Sequence, residues 1–259
     1  MKIARFSTRS SSGAVGDPRF GIVDGDELVV LAGDPMFAGF ETTDERVLLS
    51  EAKLLAPVIP RSKVVAVGKN FVDHVAEFGG EVPKEPLLFL KPNTSVIGPG
   101  DAIVVPRQSK RVDFEGELAI VIGSIARNVA EADVDSVIFG YTIANDVTAR
   151  DLQKSDGQWA RAKGFDTFCP LGPVIETEFE VAANTVQSRL NGESRQSAPF
   201  TDMVHSVASI VAYVSAAFTL LPGDVILTGT PAGVGRMVDG DVIEIEISGI
   251  GILSNPVRG

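Results

Sequence analysis

The sequence predicts an α+β fold in which β-structure dominates. Three observations carry this. Four short turn signals, Asp24-Gly25-Asp26, Pro99-Gly100-Asp101, Pro222-Gly223-Asp224 and Asp239-Gly240-Asp241, each precede a run rich in Val, Ile or Leu, the pattern of strand entry. Two longer apolar runs, 118–122 and 137–144, are too short for spanning helices and read as buried strands. Only one stretch shows clear helical periodicity. Strands therefore outnumber helices and the helices sit between strand blocks, which favours mixed or antiparallel sheets over a doubly wound α/β fold.

Taken in order, residues 1–57 read as a small β-rich unit by strand length and turn spacing. Ala56-Pro57-Val58-Ile59-Pro60 is a stiff hinge, because each proline biases its predecessor toward extended backbone. Lys63-Val64-Val65-Ala66-Val67-Gly68 then opens the main unit, residues 58–259, as a buried strand. The periodic stretch places Met203, Val207, Ile210, Val211, Val214 and Phe218 on one helix face, with Thr201 and Asp202 at its start and Pro222 at its end. Near the C-terminus, Ile243, Ile245 and Ile247 alternate with Glu244 and Glu246, a half-buried strand.

Composition bounds the function. The chain has 259 residues, 44% hydrophobic and 22% charged, which excludes disorder for most of it. The 23 basic and 34 acidic residues leave a net charge of −11. Such a surface repels phosphate backbones and argues against nucleic-acid binding, but it permits a small anion in a locally basic pocket. The single cysteine, Cys169, excludes an intrachain disulfide and a Cys-rich zinc site. With only His74 and His205 as imidazoles, a metal site must rely on oxygen ligands. The N-terminus lacks a signal-peptide core, and the least polar stretch, 207–221, falls short of the ~20 residues of a membrane span. A cytoplasmic, reduced protein without membrane partners is expected.

The segment Asp113-Phe114-Glu115-Gly116-Glu117 enters a continuous apolar strand. Glu115 and Glu117, two residues apart on a strand, share a face about 7 Å apart. Two such carboxylates repel unless a cation or proton joins them; the alternative is a solvated strand end. Asp146 closes the second apolar strand and can supply a third carboxylate, or merely cap the next segment. Three carboxylates without Cys or His suit Mg²⁺ or Mn²⁺.

A helical turn after Asp146 puts Arg150 and Gln153 on one side. Lys163 is flanked by small and apolar residues, but spacing alone leaves it a surface lysine. His74 and Glu77, three apart on a helical turn, form a dyad that can activate water. Without further context they read as a surface pair. Gly79-Gly80 after them suits a mobile lid. His205 falls opposite the apolar stripe of its helix and is expected to be exposed and inert. Thr228-Gly229-Thr230-Pro231-Ala232-Gly233 lacks a phosphate-loop ending, yet can bring backbone N–H groups and the Thr230 hydroxyl against a ligand.

Together these segments resemble the fumarylacetoacetate hydrolase superfamily. The likeness runs through Val67-Gly68-Lys69-Asn70-Phe71 with His74 and Glu77, Phe89-Leu90-Lys91-Pro92, Asp113–Ala119, Asn145–Asp151, Lys163–Pro173 and Thr228–Gly235. It covers about 58–257. It implies a mixed β-sandwich roll with a small N-terminal domain, and a homodimer. It implies Mg²⁺ or Mn²⁺ on Glu115, Glu117 and Asp146, a catalytic lysine at Lys163 and a His74–Glu77 lid dyad. Arg150, Gln153 and Thr230 match substrate-contacting positions. Many relatives carry tyrosine where this chain has Phe71, so any role of that hydroxyl is absent. The implied reaction is cleavage of a C–C bond in a small anionic 2-oxo acid through an enolate, either acylpyruvate hydrolysis or oxaloacetate-type decarboxylation. The alternatives are isomerisation of a hydroxy-dienedioate from aromatic catabolism, or a non-catalytic 2-oxo-acid-binding protein.

Overall fold

The computed structural model describes residues 1–8, 16–78 and 81–259, the side chain of Phe78 excepted. The lid expected around Gly79-Gly80 lies outside the described residues. All four turn glycines adopt positive φ, at 64° for Gly25, 76° for Gly100, 87° for Gly223 and 91° for Gly240, and a strand follows each turn. The β-dominated α+β reading holds.

The main sheet runs from the N-terminal hairpins through Lys2–Thr8, Cys169–Glu176, Ile138–Asn145, Gly116–Ile122, Val225–Leu227, Val64–Gly68 and Leu87–Lys91. Its pairings are mostly antiparallel, with Val225–Leu227 parallel to Val64–Gly68. Ile3 faces Ile175 across the first of these junctions, so the first 57 residues extend the main sheet by backbone hydrogen bonds. A second sheet orders Glu193–Pro199, Thr185–Leu190, Val242–Ile247, Gly251–Arg258 and Ile103–Val104. A third, small one joins Val112–Phe114 to Thr148–Ala149 and Gly235–Met237.

Strand Gly116–Ile122 is buried throughout, and its alternation divides it between two cores. Leu118, Ile120 and Ile122 pack in a cluster with Ile243, Ile245 and Ile247 of the second sheet. Ala119 and Val121 join Val64, Ala66, Val225 and Leu227 on the other face. Covered on both faces, the strand can be continuously apolar, whereas Val242–Ile247 alternates because one face meets solvent.

One expected helix starts later than its sequence suggests. It spans Val207–Ala217 and is capped by Ser206, whose side chain accepts from Ser209 N. Residues 200–202 form a separate 3₁₀ turn, and Met203 bridges Phe71. The cause is tertiary: Val204 N donates to Asn70 O and His205 N to Asn70 Oδ1, so those amides are engaged outside the helix. His205 is accordingly half-buried, not exposed, and its Nε2 is a buried atom without a hydrogen-bond partner among the described residues. Among the described residues no helix is long and apolar enough to cross a membrane.

Asp224 fixes the parallel junction. Its fully buried side chain accepts from Ser62 Oγ at 2.6 Å, Lys63 Nζ at 2.5 Å and Leu221 N at 2.9 Å. Burial alone would raise its carboxyl; the bonds from Lys63, Ser62 and Leu221 outweigh that and hold it below the usual range. A depressed folded pKa stabilises fully above the unfolded value near ~3.9 and ceases to do so as pH falls through the folded value. Asp224→Asn should lower stability at pH 7 by on the order of 3 kcal/mol, with the gap to wild type narrowing below about pH 4. Urea unfolding at the two pH values checks it; an undiminished gap in acid contradicts the ion-pair account.

Candidate active site and metal centre

The site is built where two antiparallel strands end together. Gly116 pairs with Asn145 and Glu117 with Ala144, so the acids just beyond the apolar runs converge. The expected single strand through Glu115 is interrupted: Val112–Phe114 belongs to the small sheet and Gly116–Ile122 to the main one. Glu115 N donates to Asn145 Oδ1 at 2.9 Å, and Asp146 N to Glu115 O at 2.9 Å. Glu115, Glu117 and Asp146 are buried, and each offers a ligand oxygen within 4.8 Å of the others.

Three buried cations answer these acids. Lys163, read from spacing as a surface residue, is 2% exposed. Its Nζ lies 2.7 Å from Glu115 Oε2 and 2.5 Å from Asp146 Oδ2. Burial would lower its pKa, but Asp146 and Glu115 raise it overall, so the ammonium is retained. Arg150 donates to Glu115 at 2.5 Å, to Asp113 at 3.0 Å and to Gln153 at 2.8 Å. Lys91 Nζ meets Asp146 Oδ1 at 2.5 Å.

Glu117 is treated differently. Among the described residues it forms no ion pair, and its Oε2 accepts from Gly229 N at 2.7 Å. Burial, then the charges of Asp146 and Glu115, push its carboxyl well above the usual range. Glu115 moves the other way: burial would raise it, but Lys163 and Arg150 hold it low. A buried carboxylate lacking a counter-charge beside two others is a place for a cation, and three carboxylates offer the hard oxygen donors that a divalent ion takes. The residues fit such an ion.

A cavity of about 260 Å³ opens onto this cluster. It is lined by eight of the nine residues singled out from the sequence: His74, Glu115, Glu117, Asp146, Arg150, Gln153, Lys163 and Thr230. Glu77 stands outside the lining, with its carboxylate 3.5 Å from His74 Nδ1 and 3.3 Å from Gly233 N. His74 is buried, unlike the surface pair that spacing alone favoured. Burial lowers its pKa, aided by Arg150 and Lys163 against the pull of Glu115 and Glu77, so the imidazole is neutral at pH 7.

Four residues of the site carry no role that spacing reveals. Lys91 ends its strand as Asp146 ends the one it meets, a matching signal at two strand termini. Lys69 and Lys154 line the cavity without hydrogen-bond or ion-pair partners among the described residues, and Lys69 holds a left-handed backbone at φ 60°. Trp159 walls the cavity against Gly68, where a Cβ would lie 2.7 Å from Trp159 Cζ3. Cys169, beneath the cluster, is fully buried, and burial pushes its thiol up to about 12.

Residues 63–258 match the family described as fumarylacetoacetate (FAA) hydrolase, C-terminal. The chain belongs to the fumarylacetoacetate hydrolase family. Residues 1–57 match a family described as Rv2993c-like, N-terminal. The human protein named oxaloacetate tautomerase FAHD2A, mitochondrial, is 44% identical over 80% of this chain and 70% of its own. The structure of 5-carboxymethyl-2-hydroxymuconate delta-isomerase from Mycobacterium smegmatis is 45% identical, covers 100% of this chain and 99% of its own, and superposes with a TM-score of 0.90. Maleylpyruvate hydrolase from Sphingobium sp. SYK-6, in complex with manganese(II) and pyruvate, is 32% identical with a TM-score of 0.82, over 100% and 99% of the two chains. Characterised members of the family are thus enzymes of hydrolase, isomerase and tautomerase type.

If the carboxylate triad holds a divalent ion, Glu117→Ala removes one of three ligands and should weaken Mn²⁺ binding by at least about tenfold. Titration calorimetry decides this, and wild-type affinity in the variant excludes the site.

Proposed function

We propose that this fumarylacetoacetate hydrolase family member is a Mg²⁺- or Mn²⁺-dependent enzyme that forms the enolate of a small 2-oxo dicarboxylic acid. The observation that carries the reading is the placement of a buried, neutral imidazole, His74, on the same 260 Å³ cavity as the carboxylate triad and Lys163. A base facing a cation site is what removal of a proton beside a carbonyl requires. Glu115, Glu117 and Asp146 would hold the divalent ion, which would supply Lewis acidity to a bound 2-oxo acid. The Lys163 ammonium adds fixed positive charge where negative charge develops. His74 takes or returns the proton at the neighbouring carbon, with Glu77 favouring the imidazolium that results. Arg150 and the Gln153 amide hold the carboxylate next to the keto group, and Thr230 lines the same cavity with its hydroxyl donated to Gly116 O.

The dicarboxylate is chosen from the charge at the cavity wall. Lys69 and Lys154, without side-chain partners among the described residues, offer two further cations to a second carboxylate. The names of two relatives, an oxaloacetate tautomerase and a carboxymethyl-hydroxymuconate isomerase, agree with proton transfer on such acids. Hydrolytic C–C cleavage, one of the two C–C cleavages that the sequence resemblance implies, is the second reading. It is favoured by the His74–Glu77 pair, which can activate water as well as move a proton, and by the maleylpyruvate hydrolase similarity. The proposal retains the homodimer implied by the family.

Deuterium incorporation at the carbon beside the keto group, followed by NMR with Mn²⁺ and oxaloacetate in D₂O, reports enolisation directly. His74→Ala should slow exchange, and any acylpyruvate hydrolysis, by ~10²–10⁴-fold while leaving oxaloacetate decarboxylation within roughly tenfold of wild type. Lys163→Ala should impair all three, since all share the enolate. Equal damage to decarboxylation in His74→Ala would contradict the proton-transfer role.

The wall lysines make a separate expectation. Lys69→Ala with Lys154→Ala should raise KM for a 2-oxo dicarboxylate by about tenfold or more, the scale of one lost charge contact, with little change for pyruvate-type monocarboxylates. Parallel steady-state kinetics on the two substrate classes check it; an equal rise for both removes the lysines from substrate selection.

A further inference from the structure

We infer that Gln196, far from the site in sequence and on a different sheet, is the positioning residue that sets the geometry of the carboxylate triad. The inference rests on the metal reading above and names what holds that site in place. Gln196 lies on strand Glu193–Pro199, whose other residues are mostly exposed, yet it is itself 0% exposed. Its amide oxygen accepts from Gly116 N and Ser188 Oγ, both at 3.0 Å. Its amide nitrogen donates to Thr230 Oγ1 at 2.7 Å and Pro231 O at 2.8 Å. Two acceptor and two donor positions are thus all engaged, the full capacity of the group. The amide cannot be reversed, because Gly116 N needs an acceptor and Pro231 O needs a donor.

Gly116 is the peptide between Glu115 and Glu117, where the strand passes from one sheet to another. Its N–H is held by Gln196, and its carbonyl accepts from Thr230 Oγ1 at 2.8 Å. Thr230 is in turn held by Gln196. The three residues form a closed hydrogen-bonded ring around the one residue whose backbone dihedrals set how the two glutamates diverge. The ring reaches the third side of Glu117 as well, since the loop it anchors carries Gly229, whose N–H binds that carboxylate. Close packing leaves no slack: a Cβ on Gly116 would stand 3.1 Å from Ile245 Cγ2 and 3.2 Å from Gln196 Oε1, and one on Gly233 would stand 2.2 Å from Arg195 O. Partners that orient ligands from behind in this way tune metal affinity by about 10–100-fold.

Gln196→Met keeps the volume and removes all four bonds. The expected result is Mn²⁺ affinity reduced by about 10–100-fold, read by calorimetry or by the EPR signal of free Mn²⁺, with no turnover involved. Ser188→Ala is the comparison: it deletes a bond to the same amide but leaves Gly116 and Thr230 held, so it should cost thermal stability while Mn²⁺ affinity stays within threefold. Gln196→Met with wild-type affinity and a lowered Tm would overturn the positioning role, leaving Gln196 structural only. Wild-type protein that fails to bind Mn²⁺ would instead overturn the metal reading itself. Should Gln196→Met not fold, Gln196→Glu keeps an acceptor for Gly116 and loses the amide donors to residues 230 and 231. With the ring opened at Thr230, its Mn²⁺ affinity should fall about tenfold or more, and affinity at the wild-type level would overturn the proposal.

Discussion

The organising constraint of this protein is the electrostatic self-energy of three carboxylates gathered out of water at the ends of two strands. Ionised acids are rarely buried without compensation. Here Lys163 bridges Glu115 and Asp146, Lys91 takes the other oxygen of Asp146, and Arg150 ties Glu115 to Asp113. Each cation arrives on a different element, so the elements are held in mutual register by the need to neutralise the cluster. What compensation omits is as informative. Among the described residues Glu117 receives one backbone N–H and no cation, an imbalance that a divalent ion would answer.

The surrounding architecture makes that imbalance sustainable. Strand Gly116–Ile122 has an apolar layer on each face, which keeps water from the carboxylates on the protein side. The cavity lies at the other end of these carboxylates. The His74 helix and the 229–233 loop both contribute to its wall, and Glu77 touches the loop through Gly233 N. The His74–Glu77 pair and strand Gly116–Ile122 thereby share a common contact in the 229–233 loop.

Sequence made the acids visible and hid most of their partners. Glu115, Glu117 and Asp146 stand out because an acid at the end of an apolar run contradicts the burial its neighbours predict. Lys163 could not be told from a surface lysine, because what buries it are carboxylates 17 and 48 residues away. His74 was ambiguous for the same reason. The helix expected from about residue 201 begins at Val207, because Asn70, 135 residues distant, captures the backbone at 204 and 205. Gln196 gave no signal at all, since one buried amide in an exposed-looking strand breaks no periodicity. Local pattern reports local burial; polar groups satisfied across the fold escape it.

Cys169 carries a practical consequence. The chain has one cysteine, fully buried, with its thiol pushed up to about 12. Thiolate is the reactive form, so maleimides and disulfide-forming spin labels will pass this residue by while the protein is folded. A cysteine engineered at any exposed position therefore becomes a unique attachment point on an otherwise native background. Distance measurements between such labels can follow movement of the His74 helix during ligand binding, with no need to mutate the residue that lies beneath the carboxylates.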